Sequence, residues 1–63
     1  MRDAFTLDIS TGNAAFQDSS DVHETARILR DIADRLERGE RDGKARDANG
    51  NTVGAFHLTT SED

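Results

Sequence analysis

The sequence predicts a small α+β domain in the order ββαββ: a mainly antiparallel sheet with one amphipathic helix packed on one face. Three observations carry this reading. Apolar residues alternate with period two from Phe5 to Ile9, they recur with a period near 3.6 from Val22 to Leu36, and an Asn49-Gly50 pair separates two runs that can face each other. A βαββ order, with residues 14–17 as coil, is the alternative.

Phe5-Thr6-Leu7-Asp8-Ile9 reads as a half-buried strand, apolar side chains on one face and polar ones on the other. The Gly12-Asn13 pair that follows suits a two-residue type II′ turn, in which glycine takes the positive φ. That turn would set Thr11 opposite Ala14 and Ile9 opposite Phe16, which supports a short second strand at 14–17.

Asp18-Ser19-Ser20-Asp21 is turn and cap chemistry. Asp21 with Glu24 three residues on resembles a capping box, with Ser20 the competing N-cap. Beyond it, Val22, Thr25, Ala26, Leu29, Ile32, Ala33 and Leu36 fall on one helical face. His23, Arg27, Arg30, Asp31, Asp34, Glu37 and Arg38 occupy the other. Ile28 stands at the margin of the stripe. Asp31–Arg35 and Asp34–Arg38 are acid-before-base pairs at i,i+4, and Gly39 is placed to end the helix in a left-handed conformation.

Asn49-Gly50 predicts a type I′ hairpin, with positive φ at both central residues. Ala48 then faces Asn51, Arg46 faces Val53, Ala45 faces Gly54, Lys44 faces Ala55 and Gly43 faces Phe56. Gly43, Ala45 and Gly54 share the inner face with Phe56 and Leu58, and their small size lets a helix lie close. The same stretch opens with Asp and Asn two apart, like a calcium loop. The spacing excludes that reading: counted from Asp47, glycine stands at position four and Leu58 at position twelve, where an EF-hand needs glycine at six and glutamate at twelve. The predicted core is Phe5, Leu7, Ile9, Phe16, Val22, Ala26, Leu29, Ile32, Ala33, Leu36, Phe56 and Leu58.

The totals bound function more than they reveal it. Sixty-three residues make a single small domain over 1–63, with an ordered core at about 4–59 and loose ends at Met1–Asp3 and Ser61–Asp63. The absence of cysteine excludes disulfides and thiolate zinc sites, and suits a cytoplasmic location. MRDAFTLDI does not read as a signal peptide, and no apolar run approaches a membrane span. A formal charge of −5 argues against bulk electrostatic attraction to DNA.

The run FTLDISTGNAAF, then ARILRDIADRLERGE, then GKARDANGNTVGAF, resembles a family of small hypothetical bacterial proteins, many associated with phages and plasmids. The resemblance spans nearly the whole chain. It implies no activity, cofactor or catalytic residue, and it favours an accessory binding role.

The residues themselves point away from catalysis. His23 and His57 lie on different elements, the serines sit in turns and caps, and no glycine-rich phosphate loop exists. The expectation is therefore a non-enzymatic protein without cofactor or metal, binding an unknown protein partner or itself. Its candidate surface is the open sheet face, with Val53 and Ala55 as apolar centre and Lys44, Arg46 and His57 at the rim. The alternative is a weak nucleic-acid-binding or regulatory module using the basic residues of the second hairpin. The exposed aromatics that stack on single strands are missing, because all three phenylalanines are assigned to the core.

Overall fold

A computed structural model describes residues 3–18 and 20–59. It contains strand β1 (Ala4–Ile9), a 3-10 turn at Ala14–Phe16, helix α1 (Asp21–Glu37), and strands β2 (Asp42–Arg46) and β3 (Thr52–Thr59). The sheet is antiparallel in the order β1-β3-β2. The fold is thus α+β of the βαββ kind, with α1 on one face of three strands. Of the ends expected to be loose, Met1, Arg2 and Ser61–Asp63 lie outside the described residues, as do Ser19 and Thr60.

The second strand expected at 14–17 does not form. Gly12 avoids the positive-φ region that a type II′ turn requires. The Phe16 N–H donates to the Asn13 carbonyl at 3.0 Å and the Gln17 N–H to the Ala14 carbonyl at 3.2 Å, closing a 3-10 turn instead. Two long-range contacts override the local turn signal. The Asn13 Nδ2 donates to Asp47 Oδ2 at 2.6 Å, and Phe16 enters the core at 4% exposure. Asp18 then takes φ +58°, a left-handed conformation that aspartate tolerates better than most residues, and turns the chain toward α1.

Helix α1 begins at an N-cap Ser20 that makes no side-chain cap bond, and the Asp21 carboxylate accepts the N–H of Val22. No capping box forms, because Glu24 is drawn elsewhere. At the other end Gly39 (φ +99°) makes the left-handed turn predicted for it. Its N–H reaches the Leu36 carbonyl and the Glu40 N–H reaches the Arg35 carbonyl, both at 3.0 Å, which is a complete Schellman motif. Of the two predicted ion pairs, Asp31–Arg35 is present at 3.5 Å, whereas Arg38 lies 4.0 Å from Glu40 instead.

The helix is rotated from its predicted setting. Its buried residues are Glu24, Ile28 and Ile32, while Leu29 is 46% exposed, Val22 71% exposed, and Ala33 also faces outward. Ile28, expected at the margin, is 1% exposed and sits at the centre of the core. The core joins it to Phe16, Ile32, Ala45, Val53 and Phe56, with Leu7, Ile9, Ala15 and Leu36 packed at its edge. Phe5, placed in the core by its periodicity, is 44% exposed, because α1 covers the β2–β3 side of the sheet and leaves β1 partly bare.

The hairpin of β2 and β3 keeps the predicted pairs Gly43–Phe56, Lys44–Ala55 and Ala45–Gly54. Nearer the turn it departs from them: a bulge sets Arg46 opposite Thr52, not Val53. The loop is Ala48-Asn49-Gly50, closed by the Asp47 N–H on the Asn51 carbonyl at 2.9 Å, and only Gly50 (φ +84°) has positive φ. The cause is Asp47, whose Oδ1 accepts the N–H groups of both Asn49 and Asn51 and so favours the longer loop. Gly54 beside the bulge lies so close to β1 that a Cβ there would collide with the Asp8 carbonyl.

Candidate partner-binding surfaces

The open face of the sheet, where the sequence places the binding surface, comes out polar. Ala55 on β3 stands between Asp8 on β1 and Lys44 on β2, and His57 stands between Thr6 and Asp42. Lys44, Arg46, Ala55 and His57 are exposed together on this face. Val53 is not with them. The bulge turns its side chain inward, where it is 9% exposed and belongs to the core. The face therefore lacks the apolar centre expected of it, and its positive charges alternate with Asp8 and Asp42. His23, exposed on α1, and His57 lie on opposite sides of the sheet and do not converge.

The edges of the sheet differ. Along β2 two of the outward carbonyls are occupied by arginines of α1: Arg35 Nη1 donates to the Lys44 carbonyl at 2.7 Å and Arg27 Nη2 to the Arg46 carbonyl at 3.0 Å. Arg35 also pairs with Glu40 at 3.0 Å and lays its guanidinium over the Phe56 ring, 4.9 Å from the centroid. Gly43 makes room for it, since a Cβ there would meet the Arg35 side chain. Arg27 is held in turn by both oxygens of Glu24, at 3.0 and 2.9 Å. These contacts partly cover the β2 edge, as native proteins commonly do with exposed strands.

Among the described residues the β1 edge has no such cover. β1 pairs, among the described residues, with β3 alone, and the Ser10 N–H donates to the Val53 carbonyl, so by alternation Phe5, Leu7 and Ile9 turn their backbone groups outward. The outer flank of α1 carries an apolar strip of exposed Val22, Leu29 and Ala33 with half-buried Ala26, and its N-terminal half borders Thr11, just past the end of β1. A shallow groove of about 430 Å³ opens there, lined by Thr11, Asp21, Val22, Thr25, Ala26 and Leu29. Sequence reasoning placed these apolar side chains inside. The available signal was a surplus: the helix carries more apolar positions than a three-stranded sheet covers.

A buried polar cluster holds the hairpin loop to the helix. Glu24 Oε2 accepts the Ala48 N–H at 2.6 Å as well as the Arg27 bond, and Asp47 accepts from Asn13, Asn49 and Asn51. Both acids are almost fully buried. The Arg27 hydrogen bond holds the Glu24 carboxyl below its ordinary value, against the opposing effect of burial. Burial also pushes Asp47 upward, and its hydrogen bonds from Asn51, Asn13 and Asn49 outweigh that and bring it down. These bonds account for the cluster as a structural clasp. No group of three His, Cys, Asp or Glu placed to hold a metal occurs among the described residues, and no described helix is long and apolar enough to cross a membrane. Compared with protein-family models, curated proteins and solved structures, the chain matches none of them.

Proposed function

We propose that this chain is a non-enzymatic accessory module of the cytoplasm that acts by binding protein, through the side formed by the β1 edge and the outer flank of α1. One observation carries the reading. Among the described residues, β1 offers an unpaired edge and the exposed apolar flank of α1 borders its end at Thr11, while the opposite edge is held by Arg27 and Arg35. Strand edges bind extended chains by backbone hydrogen bonds, and apolar helix flanks bind by burial. No cofactor enters this mechanism. The resemblance to phage- and plasmid-associated proteins fits an accessory role of this kind.

Nucleic acid binding through Lys44 and Arg46 is the competing proposal, supported by their joint exposure beside His57. Asp8 and Asp42 on the same face weigh against it. A comparison of variants separates the two. Leu29→Glu should abolish capture of protein partners from a lysate, while Lys44→Glu with Arg46→Glu should leave that capture intact. Capture unchanged by Leu29→Glu would sink the protein-binding reading, and oligonucleotide binding lost on reversing Lys44 and Arg46 would favour its competitor.

A further inference from the structure

Resting on the protein-binding reading, we infer that the occupant of this side is a second copy of the chain: two β1 strands pair antiparallel across a two-fold axis into one six-stranded sheet. A single symmetry operation then pairs both exposed edges and brings both apolar flanks to one side of the sheet. The backbone groups of Phe5, Leu7 and Ile9 find partners in the same groups of the other copy. The two α1 helices come to lie on the same face of the merged sheet, with their Val22 and Leu29 flanks turned toward each other. An extended peptide alone would satisfy the edge and leave the flank bare; a helix alone would do the reverse.

Charge supports a self-contact here. The chain carries −5 and repels its copy over most of its surface. This side carries little charge: Asp8 is the one charged side chain in β1, the strip Val22, Ala26, Leu29, Ala33 has none, and Asp21 stands at the end of the groove. Directly opposed residues must share a face. The two registers with the fullest overlap therefore set Leu7 opposite Leu7 of the second copy, or Thr6 opposite Thr6. In either one Asp8 faces Thr6 or Ala4 of the second copy rather than Asp8. The inner apolar side chains of both β1 strands, including the 44% exposed Phe5, form the floor between the helices.

Light scattering over a dilution series, with amide-resolved hydrogen exchange on the same samples, tests this. The expected result is a mass twice the 6.9 kDa of the chain at high concentration. The Phe5, Leu7 and Ile9 amides should exchange slowly there and lose that protection on dilution. Leu29→Glu should reduce the mass to that of one chain while keeping the circular dichroism of the folded domain. A single-chain mass at all concentrations would overturn the inference, and so would a dimer whose β1 amides exchange freely. Neither result would touch binding to a foreign protein, which the lysate comparison decides separately.

Discussion

Ile28 and Leu29 are neighbours in the chain and lie on opposite sides of a boundary: Ile28 is 1% exposed at the centre of the core, and Leu29 is 46% exposed on the outer flank. Periodicity alone favours Leu29 as the inner residue, so the pair tests how α1 is rotated. Ile28→Ala is expected to cost about 2–5 kcal/mol, the range for emptying a packed core site. Leu29→Ala should cost under about 1 kcal/mol in dilute solution, as a partly exposed position does. Urea unfolding of the two variants at low protein concentration provides the comparison, and equal losses would mean the helix is set differently.

Acid should loosen the clasp between the hairpin loop and α1. Glu24 and Asp47 both titrate below their ordinary values of 4.5 and 3.8 in the folded chain. As pH falls through and below those values the unfolded chain takes up protons first. The stability these carboxylates contribute is therefore full above them and is lost as pH drops through the lowered folded values. Urea midpoints measured from pH 7 down to pH 3 should show this fall. Asp47→Asn should lower the midpoint at pH 7 and flatten the acid slope.

Gly54 and Gly12 should respond in opposite ways to alanine. A Cβ at Gly54 collides with the Asp8 carbonyl and forces β1 away from β3, whereas a Cβ at Gly12 meets nothing within 4 Å. Gly54→Ala is expected to cost about 1–3 kcal/mol, as overpacking does. Gly12→Ala should be neutral or slightly stabilising, because it removes freedom from the unfolded chain. Thermal unfolding of both variants separates the cases, and a harmless Gly54→Ala would contradict the close approach of the two strands.

Arg35→Lys should not behave as a conservative change. The guanidinium lies over Phe56 while bonding the Lys44 carbonyl and Glu40, and a lysine ammonium cannot hold that set of contacts. A loss of about 1 kcal/mol is expected, in line with a stacked, hydrogen-bonded arginine. The exchange rates of amides in β2 should rise with it, and unchanged rates would show that Arg35 does not secure that edge.

Much of this fold is legible in the residues. The pairs Gly43–Phe56 and Lys44–Ala55 follow from the position of the turn, and the helix end follows from Gly39. What escaped was set by side-chain contacts, some between distant segments and some within the loop itself. Gly12-Asn13 carries a genuine hairpin signal, but Asn13 is taken by Asp47, 34 residues away in the chain. Asn49-Gly50 carries a stronger one, yet the Asp47 carboxylate selects a loop one residue longer, and that residue turns Val53 from the candidate binding surface into the core. The burial of Glu24 could be read only in part: Arg27 is a visible partner at i+3, while the Ala48 N–H appears only once the loop is closed.

The arginines that cap the Lys44 and Arg46 carbonyls bear on how far strand-by-strand growth can proceed. Fibrils need two adhesive edges per subunit, one to join and one to be joined. A sheet with one edge occupied from within has a single addition in it, so any assembly built through β1 stops after one step and its order is fixed by the monomer's own side chains.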